Sequence, residues 1–214
     1  MIPLLVFILS SIGVYFSYTH TQNYLKHNTV LFSTLPVNKQ YYVVKNIIKG
    51  CYLAILVILG GFLIMPGIIH NQFDNTTIRI LAGMYVSNDF VGLYKVSSLP
   101  TSTRIHHMAT IIFLLVTWTV DFQTSNVGQL ILLYTYFSAL AFPVNLYLGL
   151  RLCCSTQDVE WLKNISKYVY LLACLVNWTV QLAWSVPDTE FYIYLTILLA
   201  IVVDDLILLN WLFK

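Results

Sequence analysis

Apolar residues in this chain run in long uninterrupted tracts, and polar residues gather in short stretches between them. A helix crossing a bilayer needs ~20 mostly apolar residues, because the hydrocarbon core is ~30 Å thick and a helix rises ~1.5 Å per residue. On that basis the pattern predicts seven spans, over residues 2–18, 46–69, 78–97, 105–122, 127–150, 166–184 and 191–213. The expected fold is an all-α integral membrane protein of seven transmembrane helices. The first tract has neither a basic leading region nor a small-residue cleavage site, so it reads as an uncleaved span and not as a signal peptide. Residues 19–45 form the longest connection, in which lysines alternate with Tyr, Leu, Val and Phe. They read as a segment lying on the cytosolic leaflet and broken at Leu35-Pro36.

Composition supports this reading. The 214 residues are 58% hydrophobic and only 9% charged, whereas a soluble domain carries about 25% charged residues. Charge placement then orients the spans. With seven spans, Lys26, Lys39, Lys45, Lys49, Lys95, Arg104, Arg151, Lys163, Lys167 and Lys214 fall on one side and only Arg79 on the other. The positive-inside rule puts that side in the cytosol, with the N-terminus lumenal and the C-terminus cytosolic. Asn75 opens a glycosylation sequon on the lumenal side. Basic residues are scattered, which argues against nucleic acid as a partner. The four cysteines lack metal-ligand spacing.

Ionisable residues inside the spans are the candidate chemistry. Asp89 lies about two turns from the cytosolic end of the third span, and His106-His107 open the fourth. Asn145 is more than one turn inside the fifth span, and Asp204-Asp205 sit between midplane and cytosol in the seventh. Such groups are costly against lipid, so a shared cytosol-facing cavity is the economical arrangement. Adjacent histidines point about 100° apart on a helix, which disfavours a shared metal ion, and no metal or cofactor is expected. One imidazole facing the cavity, with Asp89 fixing its tautomer, suits acid–base or nucleophilic chemistry. Thr110 stands one turn beyond His106. The alternative is that one histidine sits in the headgroup region and Asp89 is a structural hydrogen-bonder.

Gly83-x-Tyr85-x-x-x-Asp89, His106-His107-x-x-Thr110 seventeen residues past the Asp, and Phe142-Pro143-Val144-Asn145 together resemble the TLC-domain family, which includes the ceramide synthases. The resemblance implies that six spans in residues 41–214 surround a cavity for lipid acyl chains. Residues 1–40 would then be a peripheral first helix and interfacial loop. It also implies that His106, His107 and Asp89 are the catalytic candidates, with Tyr85, Thr110, Asn145, Asp204 and Asp205 around the lipid. The run IIFLLVTWTVDFQTSN after the histidines carries only Asp121, Ser138 replaces an acidic residue, and Gly50 and Leu53 replace a Ser/His pair. The chain is therefore more similar to the non-synthase branch, linked to membrane-lipid homeostasis or to cargo traffic from the endoplasmic reticulum. Two readings follow. In one, the protein binds or modifies a fatty-acyl or sphingolipid-like membrane lipid. In the other, it is a non-catalytic regulator of bilayer composition or a cargo receptor.

Overall fold

A computed structural model describes residues 1–184 and 189–214. Every regular element among them is helical: α1 (Ile2–Asn28), α2 (Val30–Thr34), α3 (Val37–Leu63), α4 (Met65–His70), α5 (Asn75–Lys95), α6 (Thr101–Thr117), α7 (Asn126–Ala139), α8 (Phe142–Leu150), α9 (Thr156–Ala183) and α10 (Thr189–Leu212). Four stretches are long and apolar enough to cross a membrane: Ile2–Asn28, Val37–His70, Asn126–Leu150 and Thr189–Leu212. The other three apolar tracts of the sequence coincide with α5, α6 and α9. They are interrupted by polar groups that the fold turns inward, among them Asp89, His107, Asn177 and Gln181.

Two of the long stretches are broken by proline. Pro66 follows the junction of α3 and α4, and Pro143 follows that of α7 and α8. Each proline sits in the first turn of the second helix, where its missing N–H costs no intrahelical bond. Polar side chains start several helices. Asp74 accepts from the Thr76 and Thr77 amides ahead of α5, Ser125 from the Gly128 amide ahead of α7, and Ser155 from the Asp158 amide ahead of α9. Asn71 ends α4 in the left-handed region at φ 52°.

Large apolar side chains such as Ile58, Phe62, Tyr94, Leu172, Leu182 and Ile193 cover the outside, while Lys45, Lys49, Asn88, Asp89 and His107 are buried. This polarity is inverted relative to a soluble protein, and a lipid surround satisfies it. α1 packs along α5 and α3 on the periphery, where Phe7 meets Phe90 and Trp118 edge-on. α3 and α8 cross closely. A Cβ on Gly50 would lie 2.6 Å from Leu146 Cγ, and one on Gly149 would lie 2.7 Å from Ile47 Cγ1. Only glycine allows that approach.

The side chains also identify the two ends of the bundle. At one end Lys95 caps the Tyr15 ring at 3.5 Å, Arg104 donates to the Ser97 carbonyl, and Arg151 stacks on Trp211 at 4.4 Å. At the other end Asn75 Nδ2 donates to Asp121 Oδ1 (2.8 Å), the Phe122 amide donates to Asn75 Oδ1 (2.8 Å), and Gln123 Nε2 donates to the Asn71 carbonyl (3.0 Å). Arg79 joins this second end by donating to the Thr117 and Val120 carbonyls. The folded chain thus holds the sequon asparagine Asn75 at both ends of its amide.

Two sequence expectations need correction. The segment 19–45, read as one interfacial connection broken at Leu35-Pro36, does break there, but its ends belong to the flanking helices: α1 continues to Asn28, α2 follows, and α3 begins at Val37 just after Pro36. Lys45 and Lys49 therefore lie inside α3 and are buried, not at a boundary. A helix can carry apolar residues on its outer face and lysines on its inner face without interruption.

Candidate functional site

The polar face of α3 is where the site begins. Tyr42, Lys45, Asn46, Lys49 and Leu53 follow one another at helical spacing and line one wall of a chamber of about 310 Å³. The other walls come from α5, α6, α7, α8, α9 and α10, with Tyr85, His106, His107, Ser138, Asn145, Tyr170, Asn177, Asp204 and Asp205 among the lining residues. No residue of α1 or α2 reaches it. Pro100, Ser102, Thr103, Arg151 and Trp211 place its mouth at the end of the bundle that carries Lys95 and Arg104.

Asp89 is fully buried and lies behind this wall. Its Oδ1 takes the Lys49 ammonium and lies 3.0 Å from His107 Nδ1. Thr110 Oγ1 lies 3.3 Å from its Oδ2 and 2.9 Å from the His107 carbonyl, two acceptors that share the one hydroxyl hydrogen. The His107–Asp89 contact has hydrogen-bond length but is out of line, so neither ring nitrogen of His107 has a formed hydrogen bond. His107 thus presents a buried imidazole from the chamber wall, with Nδ1 beside Asp89 and no group within hydrogen-bond reach of Nε2.

His106 makes a separate pair. Its Nδ1 lies 3.3 Å from Asp204 Oδ2, again out of line for a hydrogen bond, and Thr103 Oγ1 donates to Asp204 Oδ1 at 3.3 Å. The two imidazoles meet edge-on with centroids 5.6 Å apart. Asp205 points elsewhere, accepting from the Tyr170 hydroxyl at 2.7 Å and the Tyr134 hydroxyl at 3.3 Å. The consecutive aspartates diverge around α10, as their helix geometry requires.

The candidates expected from sequence separate into two groups. His106, His107, Tyr85, Asn145, Asp204 and Asp205 line the chamber. Asp89 and Thr110 do not; they brace His107 from behind. The expectation that only one histidine faces the cavity is also corrected, since both rings line it, each beside its own carboxylate. Sequence reasoning passed over Lys45, Lys49 and Arg151. The spacing of Lys45 and Lys49 with Tyr42 and Asn46 on one helical face was the available signal. Nothing in the sequence pairs Tyr134 or Tyr170 with Asp205, because those residues meet only through the fold.

Asp89, His106 and His107 bring potential metal-ligand atoms within 4.8 Å of one another. The Lys49 ammonium already sits on Asp89 Oδ1. A divalent cation there would share its carboxylate with a full positive charge, so the donor set suits proton chemistry better than metal binding.

Beyond Tyr85 the character of the space changes. Tyr85 also borders a second pocket of about 50 Å³ walled by Leu56, Gly60, Ile78, Leu132 and Tyr136, which extends toward the opposite end of the bundle. At Gly60 a Cβ would come within 2.9 Å of the Tyr136 ring, so the glycine lets that ring pack directly on the α3 backbone. A charged chamber adjoins an apolar slot, with one tyrosine common to both. No protein-family model, curated protein or solved structure matches this chain.

Proposed function

We propose that this chain is a polytopic membrane protein of the TLC type that binds an acyl lipid between its helices and acts on it through the histidine pair. The observation that carries this reading is the junction at Tyr85, where a chamber of His, Asp and Lys side chains meets an apolar slot. An amphiphile has that same division between head and chain. In this reading all seven apolar rods cross the bilayer, and the six beginning with α3 surround the lipid. The eight basic residues outside the buried stretch of α3 (Lys26, Lys39, Lys95, Arg104, Arg151, Lys163, Lys167 and Lys214) put the chamber mouth in the cytosol. The endoplasmic reticulum is the compartment that the TLC resemblance suggests.

His107 is the residue we assign to proton transfer. Its Nδ1 faces Asp89, which favours one tautomer and leaves Nε2 free to take a proton from a lipid hydroxyl or from water. His106 lies next to it with its own acid, Asp204, and acts as orienting neighbour. A second reading has a specific observation behind it: Lys49 neutralises Asp89, as it would in a purely structural ion pair. The protein would then hold lipid without turnover.

Lipid profiling of membranes that express wild type, His107→Ala or His106→Ala separates the two. Acid–base catalysis contributes ~10²–10⁴-fold, so His107→Ala should erase any lipid change that wild type causes. His106→Ala should reduce it only partly. Equal, mild effects at unchanged protein levels would refute the catalytic assignment. Absence of any co-purifying acyl lipid from wild type would refute lipid binding itself.

A further inference from the structure

Three acids surround the chamber, and each is already engaged. Asp89 has Lys49, His107 and Thr110; Asp204 has His106 and Thr103; Asp205 has Tyr134 and Tyr170. Two cations on the same walls are not so engaged. Lys45 is only 4% exposed, lines the chamber and has no carboxylate within ion-pair distance among the described residues. Arg151 stacks its guanidinium on Trp211, and its buried Nε has no hydrogen-bond partner. A buried cation without a counter-charge is unfavourable, and more so among apolar helices.

Both residues line the one chamber, at different depths. A Cβ on Gly149 would lie 3.1 Å from the Val43 carbonyl oxygen and 3.2 Å from the Ile47 nitrogen, so the last turn of α8 lies directly on α3 across 43–47. Lys45 projects from the other side of α3, where a Cβ on Gly92 of α5 would lie 3.5 Å from its Cε, and Arg151 follows Gly149 by two residues at the chamber mouth, so the two cations line the chamber from different walls.

We propose that the chamber selects single-chain lipids whose head is a compact anion, a carboxylate or a phosphate monoester, with Lys45 and Arg151 as its counter-charges. This rests on the acyl-lipid reading above and narrows it to a substrate class. A space of about 310 Å³ is at the small end for a ligand site, which suits a compact head with a single chain entering the slot beyond Tyr85. Arg151 can engage the anion through paired N–H donors, while Lys45 supplies a point charge deeper in the chamber. An amine-headed lipid fits poorly, since it would have to displace His106 from Asp204 or the tyrosines from Asp205.

The test uses the full chain purified in detergent and a panel of lipids with one common acyl chain: a fatty acid, a lysophosphatidate, a monoacylglycerol and an alkylamine. Binding is followed by native mass spectrometry and by thermal shift. At least one of the two anionic lipids should bind about ten-fold or more tighter than the monoacylglycerol, since one lost ionic contact is worth about that factor. Preference within the anionic pair identifies the head as carboxylate or phosphate. Lys45→Met should remove the advantage and Lys45→Arg should keep it. Arg151→Gln, at the mouth, should weaken the anionic lipids more than the monoacylglycerol and so shrink the ratio between them, whether or not Lys45→Met folds; an unchanged ratio would overturn the role of Arg151. Equal or tighter binding of the monoacylglycerol or the alkylamine would overturn the anionic selection and leave the acyl-lipid reading standing. No binding by any of the four would overturn both.

Discussion

Replacing Lys49 by Met probes the buried pair that supports the site. Asp89 has no exposed surface, and its contacts are Lys49, His107 and Thr110. Removing the ammonium leaves an uncompensated carboxylate, and breaking a buried pair in this way costs about 3–5 kcal/mol. That is a factor of roughly 10²–10⁴ in the folded population. Asp89→Asn strands Lys49 instead, but Lys49 lines the chamber, where water or a ligand head reaches it. Its expected cost is smaller, about 1–3 kcal/mol. The double variant Lys49→Met/Asp89→Asn has no stranded charge, and the amide can still meet Thr110 and His107. It should therefore be more stable than Lys49→Met alone, with a coupling energy of about 1–3 kcal/mol. Thermal and denaturant unfolding of the four proteins in mixed micelles, followed by tryptophan fluorescence, measures this cycle. Additive losses, with the double variant as unstable as both singles summed, would refute the claim that Lys49 compensates Asp89.

Two further outcomes test other parts of the structure. Gly50→Ala should cost about 1–3 kcal/mol by overpacking the α3–α8 crossing, because its Cβ would meet Leu146 Cγ at 2.6 Å and the Leu146 backbone nitrogen at 2.9 Å. Gly61→Ala in the same helix, with its nearest atom at 3.7 Å, should be neutral or stabilising, and equal unfolding midpoints for the two would contradict the crossing. At the opposite end of the bundle the Asn75 side-chain hydrogen bond, followed by the Gln123 amide, holds the Asp121 carboxyl below its usual range. A depressed folded-state value means that the contact stabilises above the ordinary carboxylate range of ~4 and is lost as pH falls through the lowered value. Protection of the Phe122 amide, its exchange rate taken relative to the intrinsic rate at each pH, should therefore drop in acid in wild type, and Asp121→Asn should remove the step. An acid response that persists in Asp121→Asn would assign it to another group.

The helical class and the four helices long and apolar enough to cross a membrane were legible in the chain itself. Lipid imposes a coarse demand, ~20 apolar residues per crossing, and a run such as ILVILGGFLIM shows it directly. Asp89, the histidine pair and the Asp204-Asp205 pair were equally visible, because a charge inside an apolar tract stands out wherever it sits. What the tertiary structure decided was which of these groups meet. Asp89 accepts Lys49 from forty residues earlier, and Asp205 accepts from Tyr134 and Tyr170 on two other helices. Neither distance along the chain nor residue type specifies those pairs, since they depend on how the rods rotate and where α3 lies on α8. Lys45 and Lys49 illustrate the physical reason. Read linearly, they sit beside a loop and mark the cytosolic boundary. In the fold α3 has begun eight residues before Lys45, and both lysines turn toward the chamber. The helical phase converts two boundary charges into the cationic wall of the site, and that phase is fixed by the close packing that Gly50 and Gly149 permit.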